Sequence, residues 1–277
     1  MRKYFPIFLS ALLAVLFTVY ISLDTFVIAR VGVVVEQGPG VPPSQPASVG
    51  TASASPSTIP ESSAASVQES VLEDVSIMPP FTETVVFTEN AYTDQNIAIS
   101  LDTYYENDTA IHVADIHISS PEYLKTAFAQ SAYGKNVTAP TSETAASVQA
   151  ILAINGDYYG VQESGYVLRN GVIYRNIGKS GQEDLVIYQD GSMEIICEDD
   201  VSAETLLEQG AAQVLCFGPG LIENGEIKVT STDEVDKAMA SNPRTAIGMI
   251  DPLHYVFVVA DGRTSESVGL SLYQLAG

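Results

Sequence analysis

Apolar and polar positions alternate along two neighbouring stretches of the chain. Ile97 to Leu101 alternate. In the second stretch Ile111, Val113, Asp115 and His117 fall on one face, opposite His112, Ala114, Ile116 and Ile118. Asn107-Asp108 lies between the stretches, so they read as two paired strands. Ser120-Pro121-Glu122 sets a capping residue, a proline and an acid in the order that opens a helix, which the pattern predicts to run to about Ala132. Ser142-Glu143 starts another short helix, followed by an apolar strand from Ala150 to Ile154. Asn170-Gly171, Asp190-Gly191 and Asn224-Gly225 each separate short β-type runs and predict hairpins. Ser202 caps a helix that Gly210 ends. Arg244 to Ile250 and His254 to Ala260 pair across Asp251-Pro252, and Leu270 to Ala276 begins a last helix. The pattern predicts an α+β domain built on a mixed, largely antiparallel sheet with a few short helices.

The N-terminus has a different pattern. Tyr4 to Val35 is a long apolar run, densest from Phe5 to Leu23, which is long enough to cross a hydrocarbon core. Arg2 and Lys3 precede it and place the N-terminus in the cytoplasm. The run is long for a cleaved signal peptide, and no small-x-small site closes it. Residues 37–70 are rich in Pro, Ser, Ala, Gly and Thr and cannot bury enough surface to offset their ordering entropy. The expected organisation is therefore a cytoplasmic tip and transmembrane helix over 1–36, a disordered stalk over 37–70 and a folded domain over 71–277. That domain would sit outside the cell membrane on a single-pass anchor.

Charge narrows the partners. The 277 residues carry a formal net charge of −22, which argues against nucleic acid. The two cysteines, Cys197 and Cys216, have no CxxC spacing or Cys/His cluster around them. They either pair across the loop between them in an oxidising exterior or remain buried thiols. Asp115 and His117 share a strand face that has the donors for a metal, but an ordinary polar strand face is the expected reading.

Four clusters set polar residues and glycines at strand ends. Asn155-Gly156-Asp157-Tyr158-Tyr159 follows a buried run and offers an amide, a carboxylate and two phenols. Those groups suit a sugar, and they also suit a tight capped turn. Phe217-Gly218-Pro219-Gly220 is a second such end. Asn242-Pro243-Arg244-Thr245 carries an arginine placed for two-pronged binding of a phosphate or carboxylate, or for an ion pair with one of the many acids. Asp261-Gly262-Arg263 follows the apolar run Val256 to Val259. None of the GxSxG, HExxH, Walker A or EF-hand patterns is present.

Taken in order, Asn155-Gly156-Asp157-Tyr158-Tyr159, Phe217-Gly218-Pro219-Gly220-Leu221, Asn242-Pro243-Arg244-Thr245-Ala246-Ile247-Gly248 and Asp261-Gly262-Arg263 resemble the phosphodiester glycosidase family. The resemblance runs from about Ile97 to the end. The family pattern continues beyond it with a further helix and an Asp-Gly-Gly-Gly-Ser-type loop, so the expectation is a domain incomplete at its C-terminus. The resemblance implies hydrolysis of the bond between a sugar C1 and a phosphodiester oxygen, on a cell-surface or extracellular glycan. The leaving phosphate monoester has a second pKa of about 6 and departs with little acid assistance. An ordinary glycoside needs a protonated carboxylic acid there. The implied roles are Asp157 or Asp261 as the carboxylate and Arg244 as the phosphate holder. Asn155, Gly156, Tyr158, Gly218, Pro219, Asn242, Thr245, Gly262 and Arg263 would line the substrate site. The resemblance fixes no cofactor, and a divalent cation between anionic substrate and acidic protein is the one the charge admits. Two other readings use the same residues: a non-catalytic polysaccharide-binding module, and a phosphodiesterase cutting P–O.

Overall fold

The computed structural model describes residues 15, 30–34, 81–235 and 241–277. The expected stalk and almost all of the expected anchor lie outside the described residues. Among the described residues no helix is long and apolar enough to cross a membrane. Arg30–Val34, which the sequence places at the end of the apolar segment, form a strand.

The strands are β1 (Arg30–Val34), β2 (Val86–Phe87), β3 (Ala91–Thr93), β4 (Ile97–Glu106), β5 (Thr109–Ile118), β6 (Ala132–Lys135), β7 (Val167–Arg169) and β8 (Val172–Arg175). They continue with β9 (Glu183–Tyr188), β10 (Met193–Cys197), β11 (Ala211–Leu215), β12 (Ile222–Glu223), β13 (Glu226–Ile227), β14 (Arg244–Asp251) and β15 (His254–Ala260). Short α-helices accompany them: α1 (Thr141–Ser147), α2 (Ala203–Glu208) and α3 (Leu272–Ala276). Two larger sheets dominate, a six-stranded one in the order β14-β15-β5-β4-β3-β2 and a five-stranded one in the order β10-β9-β11-β7-β8. The strand pairings among the described residues are antiparallel throughout, so the expected mixture with parallel pairs is replaced by a purely antiparallel arrangement.

Turn chemistry explains most of this topology. Asn107 and Asp108 both take positive φ, 49° and 52°, and close the β4–β5 hairpin in the register the alternation requires. Asn170-Gly171 and Asn224-Gly225 do the same for β7–β8 and β12–β13. At the β9–β10 turn Gly191 takes φ +88°, and a Cβ there would lie 2.7 Å from Leu253 and 2.9 Å from the Tyr255 hydroxyl. The missing side chain lets Tyr255 donate to the Gly191 carbonyl at 2.6 Å and tie the two sheets together.

Each large sheet has its own core. Ile99, Ala114, Ile116, Ile118, Tyr255 and Phe257 form the buried face of the six-stranded sheet. Leu168, Val186 and Val214 pack under Ala203 and Leu206 of α2 on the five-stranded sheet. Ser202 caps α2 by accepting from the Thr205 N–H, and Gly210 ends the helix at φ +95°.

Two expected elements are corrected. The helix from Ser120 to Ala132 is reduced to two 3₁₀ turns, Pro121–Tyr123, capped by Ser120 as expected, and Ala129–Ser131. Between them the chain is drawn out by long-range bonds. Thr126 donates from its hydroxyl to Gln213 at 2.7 Å, and its carbonyl accepts from Asn170 at 3.0 Å. Phe128 then enters an aromatic cluster with Tyr133, Tyr159 and Tyr174. The strand expected from Ala150 to Ile154 is irregular backbone. Leu152 and Ile154 still pack onto the six-stranded core while Ile151 is exposed, so the alternation there reflects burial without strand pairing.

Candidate functional site

The four clusters meet. Asn155 and Asp157 follow α1, whereas Thr245 begins β14, yet the Thr245 hydroxyl donates to Asn155 Oδ1 at 2.7 Å. One Asp157 oxygen accepts the Cys216 N–H at 2.9 Å, joining the first cluster to the end of β11. Tyr158 and Phe217 extend this link, with ring centroids 4.9 Å apart in an edge-to-face contact. Arg244 pairs with Ala260 in the β14–β15 ladder, so the third cluster opens one strand where the fourth closes its neighbour. Arg263 then donates to Asn242 Oδ1 at 2.6 Å. All four turns line one open cleft between the two large sheets.

Gly262 sets how closely the last two clusters approach. A Cβ at this position would lie 2.5 Å from Pro243 N and 3.0 Å from Asn242 C, both backbone atoms that cannot swing away. Gly262→Ala is expected to cost on the order of 1–3 kcal/mol by overpacking and to separate Asp261 from Asn242. Chemical denaturation of the variant checks the figure.

The charged residues divide into two kinds. Asp157 and Arg169 form an ion pair at 2.5 Å with side chains only 3% and 5% exposed. Arg169 also donates to the carbonyls of Leu168 and Val214. Arg244, expected to hold phosphate, instead donates to Glu234 at 2.5 Å and to the Leu270 carbonyl at 2.9 Å. Its side chain is 8% exposed, so a phosphate reaches it only by displacing Glu234. In contrast, the Asp261 side chain is 54% exposed, with His112 Nε2 at 3.7 Å. Arg263 is exposed beside it. Tyr158 and Phe217 present 42% and 48% of their surface, a ready stacking face. Gly156, Gly218 and Pro219 line the same cleft. Arg169, Glu234 and His112 are neighbours of the site that no motif signals: His112 reaches Asp261 from a distant strand, whereas Arg169 and Glu234 lie 12 and 10 residues from Asp157 and Arg244.

Behind the cleft lies a second acid cluster. Asp184, Glu198 and Cys216 are buried with their ligand atoms within 4.8 Å of one another. Neither Asp184 oxygen accepts a hydrogen bond, and Glu198 accepts from the N–H groups of Tyr166 and Lys179. Burial and then the neighbouring Glu198 carboxylate push the Asp184 carboxyl from 3.8 up to about 9. Burial and the same two acids also push the Cys216 thiol up, so it is an inert thiol. Cys197 and Cys216 are both free thiols. Asp184 keeps its proton when folded and loses it near 3.8 when unfolded. The folded state therefore holds the extra proton between these values, and stability falls as pH rises through that window. Asp184→Asn removes the titration, so its stabilising effect is expected to grow from about pH 5 to about pH 8. Melting temperatures at both values measure it.

Comparison with known proteins adds family information to this geometry. Over 124 residues the chain is 27% identical to an SPbeta prophage-derived uncharacterized protein, YomE, of Bacillus subtilis strain 168, covering 44% of this chain and 18% of that protein. Among solved structures it is similar to the catalytic domain of zebrafish N-acetylglucosamine-1-phosphodiester alpha-N-acetylglucosaminidase, auto-inhibited by its pro-peptide. The TM-score is 0.43 and the identity 18%, with 65% of each chain covered. The chain thus spans less than two thirds of the length of either protein. The family model for phosphodiester glycosidase matches residues 148–277, a span that holds all four clusters. Over residues 148–277 the chain is therefore similar to the phosphodiester glycosidase family, the family that the four clusters resemble.

Proposed function

We propose that the cleft hydrolyses a sugar-1-phosphodiester at the C1–O bond, with Asp261 as the carboxylate that attacks C1 or activates the water that does. The observation that carries this reading is the split between the two aspartates. Both stand at turns on the cleft, but Asp157 is locked to Arg169 while Asp261 is exposed. A carboxylate held by a buried arginine is a poor nucleophile, because its charge is already neutralised.

The other roles follow from what each group can reach. Tyr158 and Phe217 give a sugar ring a face to stack on. Asn155 and Thr245, already bonded to each other, set a polar edge for sugar hydroxyls. Arg263, oriented by Asn242, meets the phosphate. Asp157 and Arg244 are positioning residues that fix the first and third turns through their ion pairs. No general acid is needed, since a phosphate monoester leaves on its own. The apolar N-terminal run and polar stretch support display of this domain outside a membrane, acting on a surface or extracellular glycan.

The test offers the full chain a sugar-1-phosphodiester and, separately, an alkyl glycoside of the same sugar. Release of reducing sugar from the first and not the second is expected. Binding of both without turnover would instead identify a polysaccharide-binding module.

A further inference from the structure

We infer that the outer face of the six-stranded sheet carries a site for one divalent transition-metal ion, of zinc type, formed by Asp115, His117 and His254. This site is distinct from the hydrolytic cleft and does not depend on that reading. Asp115 and His117 are two residues apart on β5 and so share a face. His254 stands directly across from His117 in the β5–β15 ladder. The sequence showed only the first two, because the third ligand arrives through strand register.

The donor set is compact. His117 Nε2 lies 3.2 Å from one Asp115 oxygen, and His254 Nε2 lies 2.9 Å from the other. The two imidazoles stack with centroids 3.8 Å apart and 23° between planes, so both nitrogens face one carboxylate. The ligand atoms all fall within 4.8 Å of one another. Two zinc bonds of roughly 2.0–2.2 Å span about 4.4 Å at most and about 3.5 Å at a tetrahedral angle, so modest side-chain shifts complete the geometry. Two imidazoles and a carboxylate form a borderline donor set that favours zinc-type ions over magnesium or calcium. The side chains are 14%, 22% and 42% exposed, which leaves positions on the ion open to water or an outside ligand. The net charge of −22 concentrates cations at the surface. Ile116 and Tyr255, the intervening residues of the same strands, point into the core, so the ion would staple β5 to β15 from outside.

The buried Asp184, Glu198 and Cys216 set competes poorly, because it is closed to solvent and retains a proton instead. The chain has three histidines, so His112 serves as an internal control.

The experiment titrates metal-stripped full-length chain with zinc chloride and follows the imidazole resonances by nitrogen-15 NMR. The His117 and His254 signals are expected to shift together and saturate near one equivalent, with His112 unmoved. His254→Gln is expected to weaken zinc binding by at least about tenfold, the lower range for losing even a supporting partner of a metal ligand. Imidazole signals that do not respond, or that respond alike in all three rings, would overturn the assignment. So would unchanged zinc affinity in His254→Gln.

Discussion

Arg169→Met is expected to lower the unfolding free energy by about 3–5 kcal/mol, the cost of stranding one member of a buried ion pair. Its partner Asp157 is 3% exposed, so water does little to compensate a carboxylate left without its arginine. The same guanidinium also satisfies the carbonyls of Leu168 and Val214 and lies 5.9 Å from the centre of the Tyr159 ring. Urea denaturation followed by circular dichroism reads the loss directly. The double variant Asp157→Asn, Arg169→Met is expected to cost less than the sum of the two single changes, because each single change strands the other's partner. Additive losses, or a single-variant loss under about 1 kcal/mol, would place the pair among ordinary surface salt bridges.

Asp261→Asn is the opposite case. Its exposed side chain should make the change nearly neutral for stability, within about 0.5 kcal/mol. Hydrolysis, however, is expected to fall about 10²–10⁴-fold, the usual range for losing a carboxylate that moves a proton in the transition state. Asp157→Asn, by contrast, is expected to lose rate and stability together. Measuring turnover and melting temperature for both variants separates the two aspartates, which stand at matching turns and cannot be told apart by residue type. If Asp157→Asn abolishes turnover with its melting temperature intact, the assigned roles are reversed.

Local rules made much of the fold legible. Asn107-Asp108, Asn170-Gly171 and Asn224-Gly225 specify their hairpins because the turn residues themselves carry the left-handed backbone. Ser202 and Ser271 mark helix starts for the same local reason: each hydroxyl accepts an N–H of its own first turn. The rules failed where distant partners compete. The start of a helix at Ser120 is present, but Gln213 and Asn170 pull Thr126 away from any continuation. Leu152 and Ile154 alternate as a strand would, yet their backbone finds no neighbouring strand among the described residues.

The site followed the same division. Which turns line the cleft was visible, since glycines and polar groups at strand ends are a local pattern. Which charged groups are exposed and which are locked in buried ion pairs was not. Arg244 and Asp157 look like reactive residues in sequence, and only the fold reveals Glu234 and Arg169 beside them. Likewise, Asp115 and His117 gain His254 through strand register, which no short motif encodes.

Hydrolysis of a sugar-1-phosphodiester by the full chain in oxygen-18 water tests the proposed chemistry most directly. Attack at C1 predicts that the label appears on the released sugar and that the phosphate monoester stays unlabelled. Label on the phosphate, or a chain that binds the compound and never releases sugar, would contradict it.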